Sequence, residues 1–78
     1  MMTMRKKLMS FDGKKITVRD YFCKDLIVST GVAHMTATED PPGGVYIYIA
    51  GDSGAYLADY STAIWELKDE VIVSIGRR

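Results

Sequence analysis

The stretch VYIYIAGDSGAYLA, residues 45–58, contains the change of pattern on which our prediction of the fold depends. Its first five residues alternate β-branched side chains with tyrosines, which is typical of a strand that buries one face. From Ser53 onward the apolar residues recur with the spacing of an amphipathic helix. We therefore predict a strand over residues 45–49 and one main helix over about residues 53–68. The apolar stripe of that helix would consist of Tyr56, Leu57, Tyr60, Ala63, Ile64 and Leu67.

Between these two segments lies Gly51-Asp52-Ser53-Gly54, which matches the tetrapeptide around the nucleophile of trypsin-like serine proteases. Those enzymes also need a His and an Asp held by two β-barrels, which a chain of 78 residues cannot build. They carry a further Gly after the tetrapeptide, where this chain has Ala55. We therefore interpret the stretch as a strand-to-helix turn in which Asp52 or Ser53 caps the helix. An anion site in this turn is the less favoured alternative, because Asp52 would repel phosphate.

The N-terminal segment KLMSFDGKKITV, residues 7–18, predicts a β-hairpin. Asp12-Gly13 suits the type I′ turn of a two-residue hairpin loop. In that register one face of the hairpin is apolar, because opposed residues share a face. The other face is basic and carries Lys6, Lys15 and Arg19.

The segment that follows this hairpin is predicted to become extended. Residues 19–24 are ambiguous, and we assign them to a short irregular or helical piece. Residues 26–30 are rich in β-branched side chains and predict a strand. Strand-like composition continues over residues 32–38, after a bend or bulge at Gly31.

The remaining segments complete the predicted fold. The loop at residues 39–44 contains Pro-Pro-Gly-Gly and joins its two flanking strands into a second hairpin. Residues 71–75 predict a final strand. We expect an α+β fold and a single small domain over residues 1–78. Its antiparallel sheet has about four or five strands, with the main helix packed on one face.

Composition restricts the class of protein. Hydrophobic residues make up 47% of the chain and charged residues 26%, which is ordinary for a folded globular domain. The single cysteine, Cys23, excludes a scaffold stapled by disulfides within the chain. The basic N-terminal stretch lacks the apolar region of a signal peptide, and no window approaches 18 apolar residues. We therefore expect a cytoplasmic protein that does not enter a membrane.

The charge of the chain is zero overall but unevenly distributed. Residues 1–24 carry seven Lys or Arg and two Asp, which gives +5, whereas residues 25–78 carry three Lys or Arg and eight Asp or Glu, which gives −5. One interpretation is a basic patch for an anionic partner, formed by Lys6, Lys15 and Arg19. The other, which we favour, is a solvated basic face, because overall neutrality weakens any field that attracts nucleic acid.

Catalytic and metal-binding patterns are weak in this chain. One histidine, His34, and one cysteine do not supply the ligands of a structural metal site. A Cys23–His34 dyad has no activating signal in the local sequence. The carboxylate pairs Glu39-Asp40 and Asp69-Glu70 fall in predicted loops, where carboxylates are usually solvated. We therefore expect a protein that is not an enzyme, with no catalytic residues, no bound metal and no cofactor.

Exposed aromatic residues offer the better candidates for a binding site. If the β-branched residues of 45–49 face the core, Tyr46 and Tyr48 face the other way, on a surface shared with Lys15 and Arg19. Trp65 falls at or beyond the border of the predicted helix stripe, which is typical of an interface anchor, although packing on the first hairpin is equally compatible. A face of this kind suits a protein interface, a stacking platform for single-stranded nucleic acid, or simple coverage of the sheet.

The functional expectation is a small non-enzymatic interaction protein, an inhibitor or regulator that binds a host macromolecule. Short chains of this kind are common in phages and mobile elements. A protein partner is expected, and a small core favours a homodimer or higher homo-oligomer. One alternative is a nucleic-acid-binding module that uses the basic hairpin and the sheet tyrosines. Another is an oligomeric small-ligand binder or enzyme whose site lies between subunits at Asp52-Ser53-Gly54.

Overall fold

A computed structural model describes residues 3–22, 25–59 and 62–76 of the chain. Within these residues one short helix precedes a single sheet of six strands in the order β4-β3-β2-β1-β6-β5. Neighbouring strands are antiparallel except β1 and β6, which are parallel. The elements are α1 (Met4–Met9), β1 (Lys15–Phe22), β2 (Asp25–Thr38), β3 (Gly44–Ile49), β4 (Ala55–Ala58), β5 (Ala63–Glu66) and β6 (Val71–Ile75).

The α+β class is therefore confirmed only in its coarse form. The sheet is mixed and has six strands, whereas the prediction was four or five antiparallel strands. Parallel pairing of β1 with β6 joins the two ends of the chain, and no local pattern in the sequence encodes such a contact.

The sheet is curled, and its concave inner face holds the core. β4 and β6 approach each other although three strands separate them in the sheet order. At Gly31, in the middle of β2, an added Cβ would lie 2.9 Å from Ile49 Cγ2 and 3.2 Å from the carbonyl oxygen of Ala50. Glycine at this position thus lets the end of β3 lie close against β2.

The core combines alternate residues of the strands with two residues from the N-terminal segment. Leu8 of α1 and Phe11 are buried against the sheet, so the helix covers the concave side. Apolar side chains buried in this way are the main stabilising contribution to a domain of this size. The buried residues are Leu8, Phe11, Ile16, Val18, Ala33, Met35, Val45, Ile47, Ile49, Ala58, Val73 and Ile75.

The predicted hairpin over residues 7–18 is wrong in its first strand, which is α1 instead. The Thr3 hydroxyl caps this helix by accepting from the backbone N–H of Lys6 at 3.1 Å, and the segment MRKKLM contains no β-branched residue. Asp12-Gly13 still makes a turn, with φ of +83° at Gly13, but it joins a helix to β1. The Asp12 carboxylate accepts from the backbone N–H of Met35 at 2.7 Å, which fixes the turn to β2.

The main helix predicted over residues 53–68 is also wrong, because this segment contains β4 and β5. Each of these strands extends the sheet at one edge: Val45 pairs with Ala58, and Trp65 pairs with Ile72. Long-range pairing outweighs the local helical spacing, since short helices gain most of their stability from tertiary packing.

The predicted helix cap at Asp52 or Ser53 is therefore wrong too. Gly51-Asp52-Ser53-Gly54 lies in the connection between two antiparallel strands, with φ of +96° at Gly51.

Several extended segments are confirmed. β2 includes the predicted strands at 26–30 and 32–38, and β3 and β6 correspond to those at 45–49 and 71–75. The predicted loop at 39–44 joins the antiparallel strands β2 and β3. The irregular or helical piece assigned to residues 19–24 is wrong as far as Phe22, because β1 continues to that residue through its antiparallel pairing with β2. Cys23 and Lys24 lie outside the described residues.

Candidate interaction surface

The strand register places most of the predicted binding residues on one side of the sheet, opposite the core. Paired residues of neighbouring strands share a face, so each pairing extends the same surface. Lys15 pairs with Val32, Arg19 with Val28, and His34 with Tyr48. Thr17 pairs with Thr30 and Ile72, and Ile72 pairs with Trp65. We call this convex surface the outer face; it carries Lys15, Thr17, Arg19, Leu26, Val28, Thr30, Val32, His34, Tyr46, Tyr48, Trp65 and Ile72.

Exposed large apolar side chains are concentrated on the outer face. Among the described residues seven are substantially exposed, and five of them belong to this face. Single exposed apolar residues are normal on a protein surface, whereas several on one face make that face a candidate interaction surface. The exposed fractions are 43% for Leu26, 56% for Val28, 52% for Val32, 44% for Tyr48 and 47% for Trp65.

Tyr46 and Tyr48 lie on the outer face, while Val45, Ile47 and Ile49 of the same strand are buried. This is the alternation that the sequence predicts. The Tyr48 ring lies 6.3 Å from the His34 ring, with a tilt of 42° between their planes. Tyr46 is half-buried, so Tyr48 presents the more accessible ring of the two.

Trp65 lies in β5, an edge strand, and not on a helix. Its partner across the strand pair is Ile72, and the next residue along this row of the sheet is Thr17. The indole is half exposed, whereas Ile64 beside it packs against the core. Sequence reasoning identified the residue but placed it in the wrong element, because the pairing of β5 with β6 is not visible in the helical spacing.

The three predicted anion-binding residues do not form one patch. Lys15 and Arg19 lie on the outer face, four residues apart on β1, and the Arg19 guanidinium donates to the Tyr21 hydroxyl at 3.3 Å. Lys6 belongs to α1, which covers the opposite face. The Lys6–Lys15–Arg19 patch is therefore divided between the two sides of the sheet.

Other bases of the N-terminal segment pair with acids from later in the chain. Arg5 forms a salt bridge with Glu39 at 2.6 Å and also donates to the backbone carbonyl of Thr38. Lys7 pairs with Glu66 at 2.5 Å. The charge asymmetry along the sequence is thus partly neutralised in space, which weakens the field that a basic terminus would otherwise project.

A surface cleft of about 360 Å³ lies beside Thr17 on the outer face. At its base the Thr17 hydroxyl lies 2.9 Å from the Thr30 hydroxyl and donates to Glu70 at 3.0 Å. Thr17 is only 7% exposed, so these bonds satisfy its hydroxyl within the fold. No local pattern in the sequence predicts this cluster, because it joins residues of β1 and β2 to Glu70, which immediately precedes β6. The cleft is lined by Lys15, Ile16, Thr17, Thr30, Asp69 and Glu70.

The Gly51-Asp52-Ser53-Gly54 turn is fastened to β2 by its carboxylate. Asp52 accepts hydrogen bonds from the hydroxyls of Ser29, at 2.5 Å, and Tyr56, at 2.9 Å. These bonds, the one from Ser29 foremost, lower the pKa of Asp52. Burial, followed by the bond to Asp52, raises the pKa of Tyr56. The two hydrogen bonds join the turn to Ser29 of β2 and Tyr56 of β4, so the cluster acts as a structural clamp between these segments.

The residues weighed as catalytic or metal-binding candidates do not converge in the part of the chain that the structure describes. Ser53 is exposed in its turn. His34 Nδ1 lies 3.2 Å from the Asp12 carboxylate, and Cys23 lies outside the described residues, so the Cys23–His34 dyad is not described. Within residues 3–22, 25–59 and 62–76, no group of three or more His, Cys, Asp or Glu is placed to hold a metal ion.

Comparison of the chain with protein-family models, with curated proteins and with solved structures finds no match. In the described residues, no helix has the length and apolar character needed to cross a membrane.

Proposed function

We propose that this protein is a non-enzymatic interaction protein, an inhibitor or regulator, that binds another protein through the outer face. The observation that carries the proposal is the concentration of exposed apolar side chains, including Trp65 and Tyr48, on the face opposite the core. Aromatic residues with apolar neighbours are enriched in the centres of protein interfaces, where they provide most of the binding energy.

The size of the chain is compatible with such an interface. A standard interface buries about 800 Å² on each partner, and the 5296 Å² surface of this chain contains that area several times over. The apolar residues would supply most of the buried area. Lys15 and Arg19 lie on β1, between the apolar residues of β2 and those of β6 and β5, and would pair with acidic groups of the partner there. A partner with acidic residues among apolar ones fits this arrangement best.

Two alternatives receive less support from the geometry. Nucleic-acid binding remains a hypothesis that rests on Lys15, Arg19 and the sheet tyrosines. A nucleic-acid interface normally contacts several phosphates, and here Lys6 lies on the other side of the sheet while Glu70 lines the cleft of the outer face. A ligand site between subunits at Asp52-Ser53-Gly54 also remains a hypothesis. The Asp52 carboxylate already accepts two hydrogen bonds within the chain.

Affinity capture with matched variants tests the proposal. Tagged wild-type protein, Trp65→Ala, Tyr48→Ala and the control Lys6→Ala are incubated with lysate of the source organism, half of it treated with nuclease. We expect the same protein partner with and without nuclease, retained by Lys6→Ala and lost with the outer-face variants. Recovery that is equal for all four proteins, or that depends on nucleic acid, would overturn the proposal.

A further inference from the structure

β2 has an open edge near its N-terminal end. One side of the strand pairs with β1 from Asp25 to Val32, but the other side pairs with β3 only from Ala33 to Thr38. The last contact on the β3 side is the hydrogen bond from the backbone N–H of Ala50 to the Val32 carbonyl oxygen, at 2.9 Å. Residues 25–30 therefore have no strand on that side among the described residues, and we call this segment the open edge.

Backbone hydrogen bonds show which groups point outward there. The backbone N–H of Ala33 donates to the carbonyl oxygen of Lys14, so the backbone groups of Ala33 point towards the β1 side. The carbonyl oxygen of Val32 accepts from Ala50 and therefore points to the opposite side. Because these directions alternate along a strand, the N–H and C=O groups of Leu26, Val28 and Thr30 point to the open edge. Unpaired strand groups of this kind form a template for adding another strand.

The other exposed edges of the sheet are less suited to strand addition. β4 and β5 have four residues each. On the side of β1 away from β2, β6 pairs with β1 as far as Asp20. Beyond that point Gly76 lies against Tyr21, because an added Cβ at Gly76 would be 2.8 Å from the Tyr21 carbonyl oxygen. Short edge strands are one way in which proteins avoid pairing with other chains. β2 is a long strand of 14 residues, so its open edge lacks this protection.

The open edge also carries three consecutive exposed apolar residues. Leu26 and Ile27 are each 43% exposed and Val28 is 56% exposed. Leu26 and Val28 lie on the outer face, whereas Ile27 pairs with Asp20 and lies on the inner face. A partner that docks flat on the outer face would leave Ile27 exposed. A strand that continues the sheet would bring neighbours to both faces at once.

We propose that two copies of this chain associate by antiparallel pairing of their open edges, with the two-fold axis at Ile27. Leu26 of each copy then lies opposite Val28 of the other, and the two Ile27 side chains meet on the inner face. The Leu26–Val28 pairs exchange four backbone hydrogen bonds. Each of the three exposed apolar residues gains an apolar neighbour on its own face, and the Ala50–Val32 hydrogen bond stays intact.

The segment is self-complementary, which is why a second copy is the occupant that fits it. Its apolar residues are symmetric about Ile27, as an isologous interface requires. The flanking pair places Asp25 opposite Ser29, so identical charges do not face each other across the strands. Asp52 accepts a hydrogen bond from the Ser29 hydroxyl, so Asp25 of one copy would approach Asp52 of the other. This contact between like charges limits the affinity of the dimer. The pairing uses the backbone edge of β2, whereas a partner on the outer face would contact the outward-facing sides of Leu26 and Val28.

Association of the purified protein in a dilution series, followed by sedimentation velocity, tests this proposal. Val28→Pro removes an N–H that points away from β1, so the chain still folds while the edge is blocked. Val28→Lys is a second disrupting variant. The matched control is Val32→Lys, a valine of similar exposure on the same strand and face.

We expect the wild-type protein and Val32→Lys to form dimers with similar dissociation constants. Val28→Pro and Val28→Lys should raise that constant at least about tenfold, and Asp25→Asn should lower it. Amide exchange at Leu26 and Val28 should slow as the protein concentration rises. A monomer at all concentrations, or a dimer that is indifferent to both Val28 variants, would overturn the proposal. Because no partner is present in this experiment, either result leaves the proposed function untouched.

Discussion

Trp65 lies directly opposite Ile72 in the antiparallel pairing of β5 with β6, and both side chains belong to the outer face. The indole is 47% exposed, so about half of a large apolar side chain has no cover within the described fold. Burying that surface against a partner would stabilise a complex without stabilising the free chain. Because half of the indole is exposed, truncation of Trp65 should affect the proposed complex more than the stability of the free chain.

Trp65→Ala should cost the free protein less than about 1.5 kcal/mol, well below the roughly 3–5 kcal/mol typical of a buried tryptophan. The measurement is urea unfolding of the purified variant beside the wild type. A loss in the range of a buried tryptophan would mean that Trp65 belongs to the core and would remove it from the proposed interface.

Ile47 and Tyr48 are chain neighbours on opposite faces of β3, and they should respond differently to truncation. Ile47 is fully buried, so Ile47→Ala should cost about 2–5 kcal/mol, comparable with the total stability of a domain this small. Tyr48→Ala should cost less than about 1 kcal/mol, because the side chain is 44% exposed. Thermal unfolding followed by circular dichroism separates the two. Equal losses would contradict the assignment of the two faces.

The Asp52 clamp predicts an acid-dependent contribution to stability. The hydrogen bond from Ser29, and then that from Tyr56, hold the pKa of Asp52 below its ordinary value of 3.8. A carboxyl whose pKa is lower in the folded state stabilises the fold above its unfolded-state pKa, and this contribution is lost as the pH falls through the folded-state pKa. Ser29→Ala should thus be less stable than the wild type at neutral pH, and the difference should shrink in strong acid.

Ser53→Ala is the matched control for this prediction, because Ser53 is an exposed serine in the same turn. Its unfolding midpoint should follow that of the wild type across the pH range. If Ser53→Ala loses as much stability as Ser29→Ala at neutral pH, the clamp between the turn and β2 is not the source of the effect.

Asp20 predicts a pH effect of the opposite sign. Partial burial raises the pKa of this carboxyl above 3.8, so the folded state favours the neutral form. Stability should therefore increase as the pH falls through the folded-state pKa. Asp20→Asn should be more stable than the wild type at neutral pH, by less than about 1 kcal/mol because the side chain is only half-buried. Unfolding curves at neutral and mildly acidic pH check this, and a destabilised variant would show that the carboxylate has a favourable partner.

Local patterns in the sequence predicted the interior strands. Residues 45–49 combine β-branched side chains with strict alternation, and the fold uses this alternation directly to separate Ile47 from Tyr48. The loop at 39–44 was equally clear, because Pro and Gly leave few other conformations. Such features depend on neighbours in the chain, which a sequence displays.

Features that depend on distant contacts could not be predicted in this way. The apolar residues between Tyr56 and Leu67 fit a helical spacing, yet β4 and β5 are stabilised by strands elsewhere in the sheet. Thr17 and Glu70 meet only because β1 and β6 pair in parallel. Alternation within residues 45–49 was enough to predict that Tyr46 and Tyr48 lie on the outer face. The position of Trp65 beside Ile72 could be known only from the order of the strands in the sheet.

Site-specific photo-crosslinking in cells of the source organism tests the central claim most directly. A benzophenone amino acid replaces Trp65 or Tyr48 on the outer face, or Lys6 on α1 as the control, and the adducts are identified by mass spectrometry. We predict that positions 65 and 48 crosslink to the same protein, distinct from this chain, and that position 6 does not. Adducts formed from position 6 alone, or none from either outer-face position, would contradict the assignment of the outer face as the binding surface.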